Sequence, residues 1–376
     1  MPQLKKRESN FELLRILSML MIIGSHFAQH SAAGNWQIMY EPFSFNSIWA
    51  YLFGAHGQLG VCLFLILSSW FLCDSEGIHI KKIILINLKC IFYSAIFYVL
   101  IKYNNIEHLG AEHLKNVFLS PWSEGYWFIL TYFFFYLLAP VLQFYSKKVS
   151  VSSQGKVLLI LTVLIPLLSF FVQVNEFANV DSFIYIFLLC SYLKKKDKNF
   201  IERNCIVLFL ASFIFIQLGS ILFNTTGLNI SSDYKGIVQI YANRNIPVIL
   251  EAFSLFYIFK NYVKIGFIKA INEIAGTSLG IYILHESWLF VLYISGSSLY
   301  TGGLLFEHFL NCGHYFYNSK YFGLFFPAVI IGIFSVCSAI EYIRIWLIDK
   351  HLFDKWTSFN QICEKFDKWY RIEEKA

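Results

Sequence analysis

What most constrains this chain is a succession of apolar runs, most of them near twenty residues long, separated by short polar connections. They fall roughly at 11–29, 48–73, 83–101, 127–145, 157–174, 182–193, 205–223, 246–263, 278–295 and 322–348. A helix rises about 1.5 Å per residue, so about 20 apolar residues cross a hydrocarbon layer of roughly 30 Å. Lipid offers no hydrogen bonds to a backbone, and runs of this length satisfy it internally only as α-helices. The expected fold is therefore all-α: a polytopic integral membrane protein with about ten transmembrane helices. Composition agrees, since 57% of residues are hydrophobic, 19% aromatic and only 14% charged, against about 25% charged in soluble domains.

The charges between the runs fix an orientation. Lys5, Lys6 and Arg7 precede the first run, and Lys81, Lys82 and Lys89 follow the second. Lys147, Lys148 and Lys156 follow the fourth, Lys194, Lys195, Lys196, Lys198 and Arg203 the sixth, and Lys260, Lys264 and Lys269 the eighth. The alternate connections hold only Lys102, Lys115, Lys235, Arg244 and Lys320 of the 30 Lys and Arg in the chain. By the positive-inside rule both termini are cytoplasmic, and the expected location is the plasma or inner membrane, crossed many times. The net charge of +6 is spread between spans rather than gathered on one face, so it signals no nucleic-acid partner. Eight cysteines form no CxxC pair and mostly lie in or beside apolar segments, as small buried hydrophobes do. No cleavable signal peptide is expected, because the first run lacks a small-residue cleavage site. Residues 1–348 read as one membrane domain. Residues 349–376 read as a basic, partly amphipathic cytoplasmic tail whose Trp356, Phe359 and Trp369 can lie along the inner surface.

The first run carries charge into the membrane. At 100° per residue, Glu8, Glu12, Arg15, Met19, Ile22 and His26 share one stripe. Arg15 and His26 point within about 20° of each other and stand about 16 Å apart along the axis. Ionisable groups inside a bilayer are costly unless they face partners or a cavity, so this stripe proposes a site. Each member also has a structural reading. Ser9 and Glu12 have capping-box spacing, Arg15 is near enough to the inner headgroups to snorkel, and His26 lies toward the outer interface.

Other spans add candidates. The ninth places His285 and Glu286 in mid-membrane; neighbours diverge by about 100°, and His285 is the one expected to face the first helix. Trp122, Tyr126 and Trp127 open the fourth span as an aromatic belt or a substrate rim, and Pro140 is expected to kink that span. Arg244 and Glu251 either pair or meet an entering substrate. His56, His108, His113, His308 and His314 are expected in or near outer loops, mostly solvated. Ser68 and Ser69 read as packing residues, and no G-x-S-x-G elbow is present. No histidine pair has the i, i+4 spacing of a helical metal site, so no metal is expected.

Taken together, these stretches resemble the acyltransferase 3 family, integral-membrane enzymes that acylate bacterial surface polysaccharides and related glycans. Glu12-Leu13-Leu14-Arg15 followed by His26 is similar to its Arg-x10-His pattern. GVCLFLILSSWFL resembles its second motif, and WFILTYFFFYLLAPVL and SLGIYILHE follow in order. Ser69 stands where the family has glycine, and Lys82 and Lys89 stand in place of an Arg-x-x-Arg pair. The resemblance implies transfer of an acyl group, most often acetyl, from cytoplasmic acyl-CoA to a glycan hydroxyl, with no permanently bound cofactor. Polysaccharide-synthesis machinery is a further implied partner. Arg15, with Lys82 and Lys89, would hold the anionic donor. His26 would act as base or carry the acyl group itself, with Glu12 beside Arg15 in the same stripe. Independently of the family's pattern, we expect His285 or Tyr282 to stabilise the oxyanion, and Trp127, Tyr126, Arg244 and Glu251 to meet the acceptor. A transporter or flippase is the reading from another class, since a charged intramembrane stripe suits it equally well.

Overall fold

The computed structural model describes residues 8–28, 44–54, 56–75, 77–103, 110–122, 126–171, 180–225, 245–285 and 319–371. Among these residues the regular structure is helical throughout, with no strand. The helices are α1 (Ser9–Phe27), α2 (Phe45–Gly54), α3 (Gly57–Leu72), α4 (Ile80–Tyr103), α5 (Trp127–Lys148), α6 (Val151–Phe171) and α7 (Val180–Lys194). They continue as α8 (Cys205–Thr225), α9 (Ile246–Asn261), α10 (Lys269–Gly276), α11 (Ser278–His285), α12 (Phe322–Arg344) and α13 (Thr357–Trp369). Ile80–Tyr103, Trp127–Lys148 and Phe322–Phe353 are long and apolar enough to cross a membrane, and Gly57–Leu72, Val151–Ile165 and Cys205–Gly219 are shorter apolar helices.

Which way the apolar residues point confirms the solvent. On α8, Val207, Leu210, Ile214 and Leu218 are exposed, and on α12 so are Leu324, Ile331, Val336 and Ile343. An exposed apolar stripe on helix after helix is untenable in water and is what lipid requires. The chain is an all-α membrane protein.

The bundle is built around α1, which packs against α2, α3, α9, α10, α11 and α12. Close approach to α3 depends on two glycines. A Cβ on Gly57 would overlap Ser25, and one on Gly60 would press into the Ser18 carbonyl and Ile22. Small residues at the crossing let two membrane helices approach this closely.

Several local expectations are revised. The second apolar run is not one helix: it breaks between Gly54 and Gly57, where the chain turns onto Ser25. The capping box does not form. Ser9 is already inside the helix, and its hydroxyl accepts from the Ile268 N–H at 2.7 Å and donates to Asn272 at 2.8 Å, so it fastens the start of α10 to α1. Pro140 lies inside α5, as its place in the fourth apolar run leads us to expect. The last span runs on as a π-helical segment, Ile345–Phe353, before α13. That tail helix is docked by Asp367, which accepts from the first amide of α4, Ile80, at 2.7 Å, and by Tyr370, which donates to Leu137 at 3.0 Å. Trp356 and Trp369 remain exposed, at 51% and 76%.

Candidate active site

Following the stripe of α1 outward, Arg15 comes first. Its guanidinium bonds Glu12 at 2.7 Å, one turn back, with the carboxylate buried and the guanidinium 22% exposed. At the other end of α1, His26 meets His285: the two imidazoles lie with Nδ1 of His26 and Nε2 of His285 2.9 Å apart and ring centroids 5.1 Å apart. His26 is half-buried, whereas His285 is fully buried at the end of α11.

The hydrogen bonds fix the tautomers of a neutral pair. His285 Nδ1 lies 2.7 Å from the Ile281 carbonyl, which can only accept, so that nitrogen carries the proton. His285 Nε2 is then an acceptor, and His26 Nδ1 must donate to it. The basic lone pair of the assembly is thereby assigned to His26 Nε2. One backbone carbonyl, acting through one buried imidazole, decides which atom of His26 can take a proton.

A line of aromatic rings leads to this pair from the inner side of the bundle. Lys82, at the start of α4, donates to the Tyr132 hydroxyl at 2.7 Å and sits 5.2 Å and 5.1 Å from the centroids of Tyr132 and Tyr136. Tyr136, Tyr132 and Phe128 follow one another at four-residue steps along α5, at centroid separations of 5.7 Å and 6.1 Å. Phe128 then meets Tyr282 at 5.8 Å, and Tyr282 meets His285 at 6.1 Å. Four-residue spacing keeps the rings on one helix face. Phe128 to Tyr136 thus covers about 12 Å of membrane depth.

The other sequence candidates have the following places. Tyr126 is buried with its ring 6.4 Å from Tyr282, and half-buried Trp127 packs on Phe128. Lys89 is committed elsewhere: its ammonium lies 2.6 Å from Glu341, in place of an open phosphate site. Glu251 does not face an open vestibule. It is fully buried, 3.5 Å from His56, and His56 is itself buried rather than solvated. Arg244, Glu286, His108, His308 and His314 lie outside the described residues. An open cavity of about 670 Å³ is lined by Lys196, Lys198 and Arg203 among others, beyond the inner end of α7 and away from the histidine pair.

Two features that position the site carry no motif. Glu341, fully buried on α12, accepts from Tyr93 at 2.7 Å and from Arg344 at 2.8 Å and 3.0 Å, in addition to Lys89. Arg344 reaches on to Asp349 at 2.8 Å. This knot ties α4 to α12, and Gly280 of α11 lies directly against the Glu341 side chain. It therefore sets where α11 can carry His285. The i, i+3 spacing of Glu341 and Arg344 was visible in the sequence, but Arg344 read equally well as an inside charge. The stripe Phe128, Tyr132, Tyr136 was visible too, hidden among neighbouring aromatics.

The site is thus a charged stripe on the first helix that ends at two imidazoles in hydrogen-bond contact. The chain matches the family model of the acyltransferase domain, acyltransferase 3, over residues 8–342. It is a member of that family, and thus a membrane acyltransferase. No curated protein and no solved structure matches it.

Proposed function

We propose that the protein moves an acyl group, acetyl in the simplest case, from cytoplasmic acyl-CoA to a hydroxyl of an exported or cell-surface glycan, at the inner membrane. The observation that carries this reading is the tautomer chain Ile281–His285–His26, which supplies a base at His26 Nε2. Arg15 and Lys82 are the cations proposed to hold the donor's phosphates near the inner face. The ring line from Tyr136 to Tyr282 is the proposed bed for its thin thioester arm.

His26 Nε2 takes the hydroxyl proton as the oxygen attacks the thioester carbonyl. The carbon–oxygen bond forms, the carbon–sulfur pair leaves on sulfur, and the thiolate takes up a proton on the cytoplasmic side. His285 holds the imidazolium that forms at His26 by keeping its own Nε2 lone pair on the Nδ1 proton, and the Tyr282 hydroxyl is the proposed donor to the oxyanion. Tyr126 and Trp127 are proposed to flank the acceptor sugar. The same Nε2 would serve if His26 carried the acyl group covalently.

The test is the acyl content of surface glycan in cells lacking the protein, complemented with wild type or His26→Ala at matched membrane levels. Restoration by wild type alone supports the reading. Equal restoration by His26→Ala refutes the role of His26, and solute movement without a thioester would refute acyl transfer.

A further inference from the structure

A second titratable pair, this one buried on both sides, is built from α9 and the corner before α3. Glu251 of α9 is fully buried, and neither carboxylate oxygen has a hydrogen-bond donor. Its nearest charged partner is His56 Nε2 at 3.5 Å, ion-pair distance without hydrogen-bond geometry. His56 stands at the corner between α2 and α3. Its Nδ1 is 2.6 Å from the Leu52 carbonyl, so that nitrogen keeps its proton and Nε2 is left to face Glu251, while the Gln217 amide lies beside the ring, 3.3 Å from Nδ1 and 3.5 Å from Nε2. A carboxylate with no donor is expensive in apolar surroundings unless a proton or a cation joins it. At 3.5 Å the two side chains are close enough to share a proton.

Among the described residues the surroundings contain little else that titrates. From α3, Cys62 is close enough to feel the Glu251 charge, and α8 contributes Gln217. On α1, Glu12 and Arg15 pair with each other and His26 with His285. On α9 itself, Lys260 pairs with Glu202 beyond the inner end. The corner that carries His56 meets the active-site helix at one close contact. Gly57, next to His56, packs so closely on Ser25 that a Cβ would overlap its side chain, and Ser25 precedes His26. Five residues from the start of α9, Glu251 lies about 8 Å below that helix's outer end.

We propose that Glu251 and His56 form a proton relay that takes from His26 the proton of the attacking hydroxyl and passes it to the outer side. The proposal rests on the acyl-transfer reading. In balance, acyl-S-CoA and R–OH give acyl-OR and CoA-SH. The hydroxyl proton passes from oxygen to His26 Nε2, then to the Glu251–His56 pair, then to the outer medium. The thiolate is protonated from cytoplasmic water. Each turnover therefore releases one proton on the acceptor side and consumes one on the donor side.

The test uses the full-length protein in lipid nanodiscs and in vesicles. Infrared difference spectra taken across pH should contain a titrating buried carboxyl band that is lost in Glu251→Gln and displaced in His56→Asn. Turnover with acetyl-CoA and a glycan acceptor should fall roughly 10- to 100-fold in Glu251→Gln, with the donor KM unchanged and the acid limb of the pH profile altered. Glu251→Asp, which keeps a titratable group, should recover part of the rate, and it replaces Glu251→Gln if that variant does not accumulate. Vesicles should acidify the acceptor side in step with acyl transfer. A wild-type pH profile in Glu251→Gln, with His26→Ala inactive, overturns the relay and leaves acyl transfer standing. No transfer by wild type from any acyl donor overturns both.

Discussion

Replacing Gly280 with alanine tests how the site is held. An added Cβ would fall on the Glu341 side chain, overlapping Cγ, Cδ and Oε2. A flexible, solvated glutamate would swing away. This one is held by Lys89 at 2.6 Å, Tyr93 at 2.7 Å and Arg344 at 2.8 Å, and it is fully buried. Moving it enough to relieve the overlap gives up about one charge-assisted bond, roughly 1.5–3 kcal/mol. Overpacking a filled interior adds about 1–3 kcal/mol, for a total near 4 kcal/mol. Gly332 supplies the control, since nothing lies within 4 Å of its Cβ position on the same bundle's α12. Gly280→Ala should lower the melting midpoint in nanodiscs by several degrees and reduce acyl transfer more steeply than it reduces the folded fraction, because α11 is displaced with His285 on it. Gly332→Ala should leave both within about 0.5 kcal/mol of wild type. If the two variants melt together, the Glu341 knot does not position α11 and the reasoning fails.

Three further outcomes follow from the same geometry. His285→Gln offers an amide oxygen to the His26 Nδ1 proton, so it should retain at least tenfold more activity than His285→Leu; equal loss in both would refute the tautomer chain. Lys82→Met should raise the KM for acyl-CoA about 5- to 30-fold, the worth of one to two kcal/mol of charge-assisted binding, with kcat nearly unchanged; an unchanged KM would remove Lys82 from the donor site. Burial on the inner face of α13 pushes the Cys363 thiol up, with Asp367 adding to the effect. Less thiolate is then present at neutral pH, so alkylation followed by mass spectrometry should be slow at pH 7 and quicken as pH rises past the range of an ordinary thiol.

How much of this was legible in the sequence depends on what each signal measures. Run length and hydropathy report transfer into lipid, and they placed helices in every apolar run, including the short seventh helix Val180–Lys194. They carry no direction, so the break between Gly54 and Gly57 passed unseen inside one continuous apolar run. Helical periodicity put Arg15 and His26 on one stripe and set His285 rather than Glu286 toward the first helix, and the structure brings His26 and His285 together at 2.9 Å. Periodicity within one helix cannot say which other helix arrives. Glu251 was visible as an acidic residue in a membrane run, but its partner His56 lies nearly 200 positions earlier and looked like a loop residue. Ser9 and Glu12 had the spacing of a cap, yet a tertiary partner, α10, claimed the serine. Lys89 was one lysine among many inside charges until Glu341, far along the chain, came to meet it.

The row of rings from Tyr136 to Tyr282 has a consequence for fidelity. A thioester exposed to bulk water is eventually hydrolysed, and water is both smaller and far more abundant than any sugar hydroxyl. Rings whose centroids lie 5.7–6.1 Å apart pack on one another as a continuous apolar row, so a thioester arm laid along it would be shielded from water. The reacting carbonyl would then meet oxygen nucleophiles only at the His26 end. Replacing Phe128 with a small polar residue would raise futile hydrolysis before it lowered transfer, so the partition between the two products is a direct gauge of how dry the row of rings keeps the thioester.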